Sequence, residues 1–392
     1  MGAFARFSSR AGLLALVVLA ACVDHQPGVE GTTSLRVELV APTDPGSDDQ
    51  RLPDTQRTVT FNVTALDAQG QPDPTINGDV DLYVHFLGSL TPPLEGGVPL
   101  AAVTMTDGAS GNVNLDLPRA FGATYLWVED TSRDGASYAT GTSPTLWYRN
   151  VHIEDVQRPI DEMALDALER SPLELKQIDV TDSRYGDAGR LVVTGTYAQG
   201  YTVSDVQCQD AAGTPPCVPG DYDHAFIFSY SRPADQNGQG LVRGEVISRV
   251  NGAVSEFNGL TEVNFPRSFV DSTDATPALL PEPVVIQSSW LSSRIEMERN
   301  EAGLVAVENA TICTLDTDYD TYKQWKLDLG LGCNNPVNVI TSGQVPDFDP
   351  ATYVGQVMPR VVGTLRPVNI GSFNVWIIYP RDINDVTPPA GN

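Results

Sequence analysis

Thr58-Val59-Thr60-Phe61-Asn62-Val63-Thr64-Ala65 decides the fold class. Apolar and polar residues alternate along it, which puts one face of an extended strand into a core and the other toward solvent. The same period recurs on both sides. Leu35, Val37 and Leu39 alternate with Arg36 and Glu38. Val80, Leu82, Val84 and Phe86 follow, then Val113, Leu115 and Leu117, then Leu126 and Val128 opposite Tyr125 and Trp127, with a last strand near Thr145 to Arg149. Gln69-Gly70-Gln71-Pro72, Asn77-Gly78 and Asp107-Gly108 are turn signals between these runs. These six runs, in a span with room for about seven strands over residues 34–150, predict a β-sandwich of immunoglobulin-like type. Tyr125 reads either as a tyrosine corner or as an ordinary cross-strand residue.

The next stretch, 151–171, changes period. Ile160, Met163, Ala164, Leu165 and Leu168 fall at near-helical spacing among acids, which predicts a helical linker. The remainder carries an internal repeat. Gly244-Glu245-Val246-Ile247-Ser248-Arg249-Val250-Asn251-Gly252 aligns with Gly355-Gln356-Val357-Met358-Pro359-Arg360-Val361-Val362-Gly363, 111 residues on (355 − 244). A looser echo joins Leu191-Val192-Val193 to Leu304-Val305-Ala306-Val307. This spacing is too long for a solenoid unit and suits a small barrel, whose bends tolerate glycine.

Several of these residues resemble a known module. Gly195 to Asp205 resembles the first two strands of an OB-fold, and Gly244-Glu245-Val246 with Val250 to Glu262 resembles its fourth strand and final hairpin, turning at Asn258-Gly259. Together with Tyr379 to Val386, they resemble the accessory OB-fold region beside the catalytic domain of some secreted bacterial endonucleases. The phosphoesterase domain of those enzymes has no counterpart among the 392 residues, so no nuclease chemistry is carried over. The expected architecture is all-β with little helix: the immunoglobulin-like sandwich, the linker, and two tandem OB-fold-like β-barrels over 172–282 and 283–388.

The amino end predicts where this string of modules resides. Arg6 and Arg10 precede an apolar run from Ala11 to Ala21, the pattern of a secretory signal peptide over residues 1–21. The run is shorter than the ~20 apolar residues of a membrane-spanning helix. Leu19-Ala20-Ala21-Cys22 resembles the lipobox of bacterial lipoproteins. That resemblance implies lipidation of Cys22 and a membrane attachment through the N-terminal lipid, with residues 22–33 as a tether. Val23 after the cysteine matches the sorting pattern for the outer membrane in two-membrane bacteria.

Of five cysteines, four remain after Cys22. An even number in an exported chain reads as two disulfides, and Cys208–Cys217 with Cys313–Cys333 closes the shortest loops. Zinc is the alternative, but neither pair has C-x-x-C spacing or an adjacent histidine. Fifty acidic residues against 24 basic ones give a net charge of −26. Such a surface repels polyanions, which argues against a nucleic-acid partner.

No G-x-S-x-G, H-E-x-x-H or P-loop motif occurs, and the four histidines are scattered. Asp316, Asp318 and Asp320 alternate as calcium-binding carboxylates do, but Thr321 and Leu327 stand where an EF-hand has Gly and Glu, so a solvated acidic loop is the simpler reading. Phe226, Phe228 and Tyr230 share one strand face. Either that face is barrel core, the simpler reading, or it is a binding face completed by Tyr197 and Tyr201. The expectation is a non-catalytic envelope protein, without cofactor, that binds or scaffolds an envelope protein, glycan or other extracytoplasmic ligand. The alternative is a nucleic-acid-binding or nuclease-accessory protein.

Overall fold

The alternation beginning at Thr58 forms a strand over Thr58–Leu66, and Val59, Phe61, Val63 and Ala65 are all fully buried. It belongs to a computed structural model that describes residues 31–89, 98–130, 139–162, 170–271, 276–370 and 373–389. The expected signal peptide, Cys22, and Met163, Ala164, Leu165 and Leu168 of the expected helix lie outside the described residues. The described chain is all-β, with three short α-helices: α1 (Ile153–Gln157), α2 (Arg294–Glu298) and α3 (Thr317–Tyr322). Ile160, expected on a buried helix face, is 89% exposed, and α1 ends three residues before it.

The first nine strands are β1 (Ser34–Ala41), β2 (Thr58–Leu66), β3 (Gly78–Phe86), β4 (Gly88–Ser89), β5 (Ala101–Met105), β6 (Val113–Asp116), β7 (Ala123–Asp130), β8 (Ala139–Thr142) and β9 (Leu146–Trp147). A sheet of order β1-β2-β6 faces a sheet of order β5-β3-β7-β8, with β9 on β7. Leu35, Val37 and the inner residues of β2 pack against Val80, Leu82, Val103, Met105, Leu126 and Val128 to form one core. Tyr125 lies on the outer face opposite His85, their rings stacked 5.3 Å apart, so it is a cross-strand residue. Fully buried Tyr148 instead donates its hydroxyl to the Gln56 carbonyl.

Strand β4 leaves this sandwich and pairs with β10 (Lys176–Val180). Then come β11 (Gly189–Tyr197), β12 (Gly200–Gln207), β13 (Val218–Phe228), β14 (Val246–Ile247), β15 (Arg249–Phe257) and β16 (Leu260–Phe269). The order β11-β12-β13-β16-β15-β10 contains one parallel pair, β13 with β16. Only Ser248 separates β14 from β15, so they act as one bent strand. It pairs with β11 at one end and β10 at the other, closing a barrel. Inside lie Ile178, Val180, Leu191, Val193, Tyr201, Val203, Ala225, Ile227, Val254 and Val263.

A second closed ring follows: β17 (Val284–Val285), β18 (Leu304–Ile312), β19 (Gln324–Asp328), β20 (Val337–Ile340), β21 (Val357–Ile370), β22 (Phe373–Tyr379) and β23 (Val386–Thr387). Its order is β18-β19-β20-β22-β21, with β20 parallel to β22, and β21 returns to pair with β18. The two barrels therefore share one strand path, including the position of the parallel pair. Each carries one of the two disulfides, Cys208–Cys217 and Cys313–Cys333.

The repeat marks equivalent places in this path. Gly244 and Gly355 both precede the fourth strand at positive φ, +85° and +78°. Gly252 and Gly363 both lie where the fifth strand crosses closely. A Cβ on Gly252 would stand 2.7 Å from the Asn264 carbonyl oxygen, and one on Gly363 2.6 Å from the backbone of Tyr379. The looser echo is different. Leu304 to Val307 pair with Thr364 to Val361, and in the first barrel the equivalent partners of the fourth strand are Gln177 to Val180, not Leu191 to Val193. The turn between β10 and β11 breaks the first strand of that barrel and displaces the sequence match.

Backbone atoms at a crossing cannot move aside as a side-chain tip can. Gly363→Ala should therefore lower stability by roughly 1–3 kcal/mol, the range for overpacking, read as a lower urea midpoint at unchanged slope.

Candidate functional site

Alternation along β13 sends Ala225 and Ile227 into the first barrel and Phe226 and Phe228 out of it. The expectation that the phenylalanine face is barrel core is thus corrected: Ile227 and Tyr201 fill the interior, and the rings cover the outside. Tyr201 is paired with Ile227 in register, is 1% exposed, and bonds Ser268 Oγ at 2.7 Å. It therefore does not join Tyr197, Phe226, Phe228 and Tyr230 on the candidate face.

Those four form a ladder that also takes in Phe265. Successive ring centroids are 6.3 Å apart for Tyr197–Phe226, 6.4 Å for Phe226–Phe228, 4.4 Å for Phe228–Tyr230 and 5.2 Å for Tyr230–Phe265. The ladder begins under the second barrel and ends in solvent, where Tyr230 is 53% and Phe265 67% exposed. Both end residues hold a positive φ, +57° and +51°. Bulky residues rarely adopt that conformation, and such strain clusters at ligand-binding positions.

The second barrel covers the buried end of the ladder. Arg366 projects from β21, next to inward-facing Leu365, and places its guanidinium over Tyr197 (4.2 Å), Phe226 (4.1 Å) and Tyr379 (4.9 Å). Tyr197 Oη and Thr364 Oγ1 are 2.5 Å apart. Arg381 donates to the Thr194 carbonyl and is held by Asp385. The loop before β18 completes the seam: Glu301 accepts from Thr261 N at 2.8 Å, and Gly303 lies so close to His224 that a Cβ would stand 2.5 Å from the ring.

A cleft of about 350 Å³ remains between the barrels, walled by Tyr197, Phe226, Phe228, Phe257, Leu260, Glu262, Arg366 and Tyr379. Among the described residues, Nε and Nη2 of Arg366 have no hydrogen-bond acceptor, although both atoms are buried. Glu262 stands beside Phe226 in the parallel β13–β16 register and is 6% exposed. Burial pushes its carboxyl up to about 7, with Arg366 pulling the other way and Glu256 adding to the rise.

The other titratable clusters are structural. Asp205 and Asp223 close one end of the first barrel. Asp205 accepts from Ser183 Oγ and Arg184 N, and Asp223 from Tyr185 Oη and Gly220 N. Burial raises both carboxyls, Asp205 to about 7. Ser204 Oγ and His224 Nδ1 lie 2.7 Å apart, a serine–histidine contact between neighbouring strands with no motif to announce it. Both are buried at the seam, out of reach of a substrate, and burial holds the imidazole near 4. Asp316 and Asp318 of the calcium candidate turn to Lys326 Nζ at 2.5 and 2.7 Å, and Asp316 also caps α3; Asp320 is exposed. Among the described residues no group of three His, Cys, Asp or Glu side chains is placed to hold a metal ion.

No family model, curated protein or solved structure matches the chain. The site is therefore read from its own geometry. Arg366 and Phe265 were not singled out in the sequence, and Phe257, Glu262 and Tyr379 stood there only within the OB-like stretches, not as site residues. The one signal was in the repeat, whose 111-residue offset sets Arg366 against Ser255 (366 − 255): a charge where the other barrel has a small hydroxyl.

The shift of Glu262 has a sign that can be checked. A glutamate in the unfolded chain ionises near 4.5, and this one in the folded chain near 7. Between those values the native state holds a proton that the unfolded state has lost, so its contribution to stability falls as pH rises through the window. Glu262→Gln does not titrate. Relative to the parent, it should gain on the order of 2–3 kcal/mol between pH 4.5 and pH 8, measured as the difference in urea-unfolding free energy.

Proposed function

We propose that the chain is a lipid-anchored envelope protein that binds its ligand without converting it. The ligand lies on the outer aromatic face of the first barrel, beside the junction with the second. The observation that carries this reading is the aromatic ladder. Tyr197 and Phe226 pack the seam between the barrels, but Tyr230 and Phe265 carry the ladder on into solvent, where folding has no need of further rings. Contiguous exposed rings of this kind mark interaction surfaces.

The remaining support is architectural. The order 1-2-3-5-4-1 with one parallel pair is that of an OB-type barrel, and the facing β1-β2-β6 and β5-β3-β7-β8 sheets suit an immunoglobulin-like sandwich. In OB-type barrels the outer surface of the second and third strands is the usual ligand face, which is where Phe226 and Phe228 stand. The two disulfides fit an oxidising compartment, and the lipobox-like Leu19-Ala20-Ala21-Cys22 supplies the anchor. A nucleic-acid role has one point in its favour, since bases stack on such ladders. The charge of −26 opposes it.

Two variants separate the parts of this proposal. Cys22→Ser should abolish incorporation of labelled fatty acid and release the chain from the membrane fraction; retention at the membrane would refute the anchor. The double variant Tyr230→Ala, Phe265→Ala should lose at least tenfold in capture of soluble envelope components that the parent retains. Salt-sensitive retention of the parent on single-stranded DNA, at low but not moderate salt, would favour the nucleic-acid role instead.

A further inference from the structure

We infer that the cleft between the two barrels binds a sugar ring of a neutral glycan, with Arg366 donating to one ring hydroxyl, Glu262 accepting from a neighbouring one, and Phe228 and Phe257 flanking the ring. The inference deepens the proposed binding role and rests on it.

The argument is one of elimination among ligand chemistries. Nε and Nη2 of Arg366 are buried N–H donors without acceptors, and an unmet buried donor of this kind costs about 1–3 kcal/mol. The three rings around the guanidinium offset its charge but accept no hydrogen bond in its plane. On the wall of the same cleft stands Glu262, whose carboxylate accepts hydrogen bonds once ionised. An anionic ligand would satisfy Arg366 and meet Glu262 and the acidic surface. A cationic ligand would satisfy Glu262 and meet Arg366. An apolar ligand would leave the two Arg366 donors unmet.

A ligand that presents acceptors and donors side by side, without charge, satisfies both groups at once. Each sugar hydroxyl is a donor and an acceptor on a single oxygen. The flat C–H faces of a sugar ring suit aromatic walls, here Phe228 and Phe257, and Phe257 is 61% exposed at the mouth. The cleft volume of about 350 Å³ lies within the range of small-ligand sites. Beyond its mouth the ladder continues to Tyr230 and Phe265, which offers further rings to a second and third sugar of one chain.

The test uses the detergent-solubilised full chain and calorimetric titration with hexasaccharides of the cello-, malto-, xylo- and chito- series, with oligothymidylate as the anionic control. At least one neutral hexasaccharide should bind. Arg366→Met and Glu262→Gln should each weaken it about tenfold or more, and Phe257→Ala several-fold. Phe257 is exposed, so its variant keeps the fold even where Arg366→Met loosens the seam. Failure of every neutral hexasaccharide to bind overturns the inference, as does binding that is unchanged in Glu262→Gln and Phe257→Ala, or oligothymidylate binding in their place. The broader binding role has its own readout: it stands or falls with the Tyr230 and Phe265 double variant on envelope components.

Discussion

The placement of Arg366 is the constraint on which the arrangement of the barrels depends. A guanidinium cannot be deprotonated, so it enters a partly buried seam only where its charge is compensated. Here the compensation comes from the faces of Tyr197 and Phe226 on one barrel and Tyr379 on the other. Each desolvated contact of this kind is worth about 2 kcal/mol or more, but supplies no hydrogen-bond acceptor. The rings therefore hold the cation in place without meeting its hydrogen-bonding capacity. Any relative shift of the barrels would uncover the charge from one wall or the other. The surrounding bonds, Arg381 to Thr194 and Glu301 to Thr261, resist such a shift from both sides of the cleft.

That seam gives two barrels with one strand path unequal roles. The outer face of β12, β13 and β16 in the first barrel carries the rings and receives the second barrel. The corresponding face of the second barrel, over β19, β20 and β22, borders a cleft of about 620 Å³ whose walls include Trp290, Trp376, Gln324, Asn338 and Lys326. Its buried amides are already engaged, Gln324 to Asn338 and Asn338 to the Trp376 carbonyl. The difference is one of satisfaction: Gln324 and Asn338 in the second cleft have partners within the chain, and Nε and Nη2 of Arg366 in the first do not.

Much of the fold was legible because its signals are local. Period-two alternation places β1, β2, β3, β6 and β7, and Asn258-Gly259 forms the turn between β15 and β16, with both residues at positive φ. The cysteine pairs follow from short loops. The glycine repeat is legible because a tight crossing imposes the same requirement on both barrels. The orientation of β13 was not legible. Residues 225–228 are apolar on both faces, so periodicity marks a strand without saying which side is inward. The phenylalanine side was the expected core. The barrel interior instead takes Ile227 opposite Tyr201 and leaves Phe226 and Phe228 outside.

The site itself was hidden for a different reason. Glu262 and Arg366 are 104 positions apart (366 − 262) and belong to different barrels, so their relation exists only once both barrels have closed and docked. Taken singly, each is a charged residue on the solvent face of an alternating strand, the commonest place for one. Docking removes the water that such a charge requires and returns partners to only some of its polar atoms. Unmet donors beside a raised carboxyl are the physical trace of that exchange. A fold without use for the cleft could have put an apolar residue at position 366 and kept the same three-ring wall, and isosteric apolar replacements of buried charge are commonly neutral or stabilising. Retaining the cation there is what turns a packing seam into a recognition site.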